Sequence, residues 1–299
     1  MALAFAAALG VPDPAAARTA PLEARTRAVY VTAIGPTGAA VTDLTAADFT
    51  VKEGGKAREV IRAEPATAPL KIAILIDDDG TGLFRYGIAK FIDRLMGRAE
   101  FALSSVTGQI VKLTDYTASA EVLRAALDGA RARPGTPDGG QLLEGISEAA
   151  QDLERRKAAR PIILALTVGG EEHSTLPAHH VLDQLRQSGA ALHVVAVRGG
   201  GLRSTVAVSK PSGLLDENLN LNEVLGDGPK QSGGRRDEVV ASAGAAGIVP
   251  VLEQLAESLK HQYLIEYGLP DGVKPSDRLS VSVKRSGVSL RAPARIPDK

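Results

Sequence analysis

Five consecutive residues, Asp77-Asp78-Asp79-Gly80-Thr81, hold three carboxylates and a hydroxyl, directly after the apolar run Leu70–Ile76. Two further polar loops carry glycine beside oxygen-bearing side chains: Gly139-Gly140-Gln141, and Thr167-Val168-Gly169-Gly170-Glu171-Glu172. If these loops converge, they gather Asp77, Asp78, Asp79, Glu171 and Glu172. Carboxylates crowded into one crevice repel one another unless a cation or a basic partner neutralises them. The remaining polar residues are less pointed. His173 and Ser174 are adjacent and His179-His180 open a helical stretch, but no third group lies at a spacing that completes a triad or ligand set. His193 falls inside an apolar strand and is expected to be a hydrogen-bonded core residue. Arg155-Arg156-Lys157 and Arg235-Arg236 are isolated and read as solvated faces. Gly199-Gly200-Gly201 does not open a helix, so no nucleotide-binding loop follows from it.

The acidic loop must be positioned by the elements around it. Leu70 to Ile76 and Ile162 to Leu166 are nearly unbroken apolar runs, as expected of strands buried on both faces. Leu192 to Val197 is a third, and Phe101 to Val106 and Ile110 to Leu113 are also strand-like. Between them, Ile88, Phe91, Ile92, Leu95 and Met96 recur at helical spacing. So do Val122, Leu123, Ala126 and Leu127; Leu142, Leu143, Ile146, Ala150 and Leu153; and Val181, Leu182 and Leu185. A last helix carries Ile248, Val251, Leu252, Leu255 and Leu259. Buried strands alternating with amphipathic helices imply a doubly wound, mostly parallel sheet, whose ligands bind at the carboxyl ends of the strands.

Period-two patterns flank this unit. Val29, Val31 and Ala33 alternate before it, followed by turn signals at Gly35-Pro36-Thr37-Gly38 and Glu53-Gly54-Gly55. Tyr263, Ile265 and Tyr267, then Leu279, Val281 and Val283, then Val288 and Leu290 alternate after it. The expected organisation is an α/β domain over 68–261 set into a small β-rich domain built from 27–66 and 262–294. Residues 199–235 are rich in glycine and poor in large apolar side chains, and are expected to be a mobile insertion. Residues 1–26 resemble a signal peptide whose basic start is missing, which implies a secreted or periplasmic protein.

Composition bounds the rest. The 299 residues are 44% hydrophobic but only 3% aromatic, with no Trp, so the core is built mainly of Ala, Val, Leu and Ile. Lys plus Arg (35) equals Asp plus Glu (35); neither nucleic acid nor an anionic membrane is favoured as a partner. No Cys is present, which removes disulfides, thiolate nucleophiles and Cys-ligated metals. No later apolar run reaches the ~18 residues of a membrane helix.

Four stretches in order resemble bacterial, acidobacterial-type VWFA-related domain proteins. They are Val41-Thr42-Asp43-Leu44 with Asp48-Phe49-Thr50-Val51-Lys52-Glu53-Gly54-Gly55; Ile72 to Thr81; Gly233-Gly234-Arg235; and Leu255 to Leu264. The resemblance spans roughly residues 28–292. It implies a von Willebrand factor A-like, Rossmann-like domain that binds a protein partner and catalyses nothing. In that family a Mg²⁺-type ion is held by D-x-S-x-S, a Thr from a second loop and an Asp from a third. Here Asp77 matches the first Asp, Asp79 replaces the first Ser and Thr81 the second. Gln141 stands in place of the Thr and Val168 in place of the Asp. The resemblance thus implies a degenerate metal site at Asp77, Asp79 and Thr81, which binds Mg²⁺ weakly or not at all. Asp78, Gln141, Glu171 and Glu172 are expected to contact the partner, with Glu171 or Glu172 available to replace the lost Asp. A rival resemblance is D-x-D-G-T, the first motif of haloacid-dehalogenase-like phosphatases. It implies Asp77 as nucleophile and Asp79 as general acid/base with Mg²⁺, and casts Thr167 and Asp227 as the later motifs. Asp227, however, lies in a Gly-rich stretch where that motif requires a strand end.

Overall fold

A computed structural model describes residues 25–78, 80–131, 140–170, 172–198 and 212–298, with backbone alone for residue 131 and for 212–217. The chain opens with β1 (Arg25–Ile34), β2 (Phe49–Glu53), β3 (Lys56–Arg58) and β4 (Val60–Pro65). Next come β5 (Leu70–Asp77), α1 (Arg85–Leu95), β6 (Ala99–Ser105), β7 (Val111–Thr117), α2 (Ala120–Arg131) and α3 (Leu142–Arg155). They are followed by β8 (Arg160–Thr167), α4 (Ala178–Ser188), β9 (Ala191–Arg198), α5 (Ser212–Ser232), β10 (Arg236–Val240) and α6 (Gly244–Lys260). The chain closes with β11 (Tyr263–Leu269), β12 (Leu279–Val283) and β13 (Ser289–Arg291).

The central sheet has six strands in the order β7-β6-β5-β8-β9-β10, parallel except for the β6–β7 pair. The chain therefore winds outward from β5 to β7, returns to the middle, and winds outward again from β8 to β10. The point where the winding reverses lies between β5 and β8. In open α/β sheets this switch point leaves a crevice beyond the carboxyl ends of the strands.

The unbroken apolar runs are explained by cover on both faces. In β5, Leu70, Ile72, Ile74 and Ile76 enter one core and Ala73 and Leu75 the other. In β8, Ile162, Leu164 and Leu166 join the first core and Ile163 and Ala165 the second. Helices α1, α2 and α6 cover the first face through Ile88, Phe91, Leu123, Leu127, Leu252 and Leu255. Helices α3, α4 and α5 cover the second through Leu142, Ile146, Val181, Leu185, Val224 and Leu225.

The flanking strands pair with one another across the α/β unit. β1 runs antiparallel to β11, with Val29 opposite Ile265, and β2 antiparallel to β12, with Val51 opposite Val281. These pairings lie in two sheets, β13-β1-β11-β4 and β12-β2-β3. Val29–Ala33 and Leu279–Val283 are thus in different sheets, but Val29, Val31, Phe49, Val51, Ile265, Tyr267 and Leu279 fill one core between them. At its edge Glu53, with a fully buried side chain, is bracketed by Arg27, in a short contact, and Arg58 at 3.4 Å.

Arg160, at the start of β8, ties the two parts together. Its guanidinium donates to the carbonyls of Ala66 (3.4 Å), Ala68 (2.9 Å) and Leu259 (2.7 Å) and to Gln262 Oε1 (2.8 Å). Leu259 is in the last turn of α6, where helix carbonyls carry partial negative charge. The aromatic ring of Tyr30 lies 5.3 Å from the guanidinium carbon.

Two expectations are corrected. Residues 212–232, expected within a mobile insertion, form α5. Leu221, Val224 and Leu225 recur at helical spacing and pack into the second core, a short stripe that Gly226, Gly228 and Pro229 obscure in the sequence. Residues 199–211 lie outside the described residues, as does the signal-like segment up to residue 24. His193 is buried, but neither ring nitrogen has a hydrogen-bond partner. Burial, together with the charges of Arg235 and Arg291, pushes its pKa down to about 3 and keeps the ring neutral. No described helix is long and apolar enough to cross a membrane.

Candidate functional site

The crevice at the switch point is built around Asp77, the last residue of β5. Asp77 pairs in register with Thr167, the last residue of β8. Thr167 Oγ1 donates to Asp77 Oδ2 at 2.6 Å, and Gly169 N–H donates back to Thr167 Oγ1 at 2.9 Å. Val168 N–H donates to the Asp77 carbonyl at 3.0 Å. The third loop meets them at Gly140. A Cβ built on Gly140 would stand 3.2 Å from Asp77 Oδ1, so the absence of a side chain lets this backbone lie against the carboxylate. Gly140 also bridges Thr107 on one side and Glu172 on the other, extending the sheet across the top of the crevice.

Of the expected site residues that are described, Asp77, Asp78 and Glu172 are buried and do not point outward. Asp77 is 8% exposed and Asp78 6%. Asp78 Oδ1 accepts from Gly80 N–H at 3.1 Å, and its carbonyl accepts from the Thr81 hydroxyl at 2.7 Å. The loop is thereby closed on itself. Thr81 is exposed and Gln141 half-buried. Asp79 and Glu171 lie outside the described residues.

Glu172, expected at the surface toward a partner, is turned inward. Only 2% of it is exposed, and Oε1 accepts from Leu143 N–H at 3.2 Å and from Ser174 Oγ in a short contact. The reason lies in α3. Its N-cap, Gln141, makes no side-chain cap hydrogen bond, and the first N–H groups of a helix need acceptors. Glu172 supplies one from another loop, where a carboxylate also suits the positive end of the helix dipole. Burial pushes its carboxyl up to about 7; hydrogen bonds from Ser174, Leu143 and Leu142 oppose the shift and the nearby Asp77 charge adds to it. No N-capping signal stands at the start of α3, and a carboxylate many residues away cannot be matched to that gap from sequence.

Among the described residues the donor set for a Mg²⁺-type ion is incomplete, with the candidate ligands Asp79 and Glu171 lying outside them. Such an ion takes six or more oxygen ligands converging from several loops. Here one oxygen of Asp77 accepts from Thr167, the Thr81 hydroxyl donates to the Asp78 carbonyl, and the Val168 side chain, which carries no oxygen, packs against the hydrophobic core. Among the described residues no group of three or more His, Asp or Glu is placed to hold a metal. The phosphatase-like set is not assembled either. Thr167 does reach Asp77, but Asp227 lies on α5 and pairs with Lys230 at 3.3 Å.

No protein-family model matches the sequence, and no curated protein matches it. Solved structures do. A von Willebrand factor type A protein from Catenulispora acidiphila is 12% identical over 93% of this chain and 76% of its own, with a TM-score of 0.48. Proximal thread matrix protein 1 from the mussel byssus, solved with a zinc-occupied MIDAS motif, is 15% identical over 69% of this chain, with a TM-score of 0.49. The chain spans about half of that protein, 49% of its length. The SpRpn10 VWA domain is 11% identical over 63% of this chain and 95% of its own, with a TM-score of 0.41. The strand order and the crevice at its reversal are those of a doubly wound α/β fold, and the solved structures it resembles include von Willebrand A domains.

Proposed function

We propose that this chain is a non-catalytic protein-binding module of the von Willebrand A type, and that it engages its partner with the loops at the carboxyl ends of β5 and β8 without a bridging metal. The observation that carries this reading is the Asp77–Thr167 hydrogen bond, backed by Gly140. A cation is one way to hold such loops around a central Asp. Here a neighbouring hydroxyl and a bare backbone do so. Among the described residues the groups open to a partner are Thr81, the Gln141 side chain and the exposed backbone of Gly169 and Gly170, and Glu171 beside them is expected to add a carboxylate. Two buried carboxylates behind this surface, Asp77 and Asp78, favour a Lys- or Arg-bearing partner through their field. Within this reading residues 27–66 and 262–294 form one β-rich frame and 68–261 the binding domain. Within this reading, the resemblance of residues 1–26 to a signal peptide supports a secreted or periplasmic location.

The test is a capture experiment with three variants of the full chain. Thr81→Arg and Gln141→Lys place positive charge on the binding loops, while Ala159→Arg places it at the opposite end of the sheet. The reading expects the captured proteins to be lost with the first two, retained with the third, and unchanged by EDTA. Loss on adding EDTA, or retention with both loop variants, refutes it.

A further inference from the structure

The end of the sheet opposite the crevice holds a second site. A cavity of about 280 Å³ lies where the β-rich frame meets the amino-terminal ends of β8 and β9. Its wall carries three arginines, Arg27, Arg160 and Arg295, and no Asp or Glu. Two of the three charges are answered just behind the wall, Arg27 by Glu53 and Arg295 by Asp277, both in short contacts. Arg160 is not. It is 5% exposed, and all its acceptors are carbonyl or amide oxygens. A guanidinium stays charged at any ordinary pH. A buried cation without an anionic partner is disfavoured, and its field is screened less in a partly closed cavity than in open water.

The rest of the wall sets the shape of what fits. Ala159, Ala191, Leu185 and Ile296 make part of it apolar, and the phenol of Tyr30, stacked on Arg160, lines it beside them. Arg295 gives a single N–H to Asp277, so its remaining donors, with the Tyr30 hydroxyl, are available at the wall. We infer that this cavity binds a small organic carboxylate with a compact apolar body, seated with its charge toward Arg160, Tyr30 and Arg295. The space equals about nine waters at ~30 Å³ each, which suits a single ring with a carboxylate and excludes a polymer. This site is independent of the loops at the other end of the sheet.

Benzoate, its neutral analogue benzamide and the cation benzylammonium share that ring and test the inference by titration calorimetry on the full chain. Benzoate should bind saturably, and benzamide and benzylammonium at least tenfold more weakly. Arg295→Gln and Tyr30→Phe should each weaken benzoate by about tenfold. Ala159→Leu, which adds bulk at the exposed rim of the cavity without touching a charge, should weaken benzoate by at least tenfold while the melting curve stays that of the parent chain. Equal binding of benzoate and benzamide, no saturable benzoate binding, or full benzoate affinity in Ala159→Leu each overturns the proposal.

Discussion

Thr167 donates its hydroxyl proton to Asp77 across the one place in the sheet where the winding reverses, at 2.6 Å. The two residues are register partners at the ends of neighbouring parallel strands, so the bond needs no loop to find it. It satisfies a carboxylate that is almost fully buried, and it holds together the two loops that frame the crevice.

Removing that hydroxyl should therefore cost stability. A charge-assisted hydrogen bond whose loss leaves a buried carboxylate short of a donor is worth about 1–3 kcal/mol. Thr167→Val keeps the shape and loses the donor, so its unfolding free energy from urea titration should fall by that amount. Thr167→Ser keeps the donor and should stay within about 1 kcal/mol of the parent. Equal midpoints for the Val and Ser variants would show that the bond contributes nothing.

Glu172 makes stability depend on pH in a defined direction. Its pKa is raised in the folded state, from 4.5 to about 7, so the folded chain binds the extra proton between those values. Stability then falls as pH rises through that window and is lowest above it. At 1.36 kcal/mol per unit the contribution is about 3 kcal/mol. Other carboxylates titrate nearby, so the quantity to measure is the difference between the parent and Glu172→Gln, which can still accept from Leu143. Melting temperatures from pH 4.5 to 7.5 should converge at the alkaline end or favour the variant there, and favour the parent at the acid end. A pH-independent difference contradicts the assignment.

How far the fold could be read from the sequence varied by element. β5 and β8 announce themselves because both faces are covered, and α1, α3, α4 and α6 because each buries a wide stripe. α5 does not, since its buried stripe is only Leu221, Val224 and Leu225 and glycines and a proline follow. The strand-end placement of Asp77 was legible from the apolar run before it. The inward turn of Glu172 was not, because it depends on a missing cap at the start of α3. Nor was the clamp at Arg160, whose acceptors come from two distant segments, 66–68 and 259–262.

The glycines around α5 offer a sharp contrast. Gly226 lies inside the helix with nothing within 4 Å of an added Cβ. Gly226→Ala should stabilise by about 0.5–1 kcal/mol. Gly234 is pressed against β9, and an added Cβ would stand 1.8 Å from the Leu192 carbonyl oxygen. Backbone cannot yield that distance cheaply, so Gly234→Ala should lose on the order of 4 kcal/mol or more. Similar urea midpoints for the two variants would contradict the close approach of Gly234 to β9.

The central claim, that the crevice is held by Thr167 and Gly140 and not by a cation, is tested most directly by melting the full chain in EDTA and in ~1 mM Mg²⁺. A ligand at 100 times its dissociation constant stabilises by about 2.7 kcal/mol, which for a chain of this size is a rise of about 4 °C. The account predicts superimposable melting curves for the parent chain in the two conditions. A rise of that size in Mg²⁺, abolished by Asp77→Ala, would contradict it.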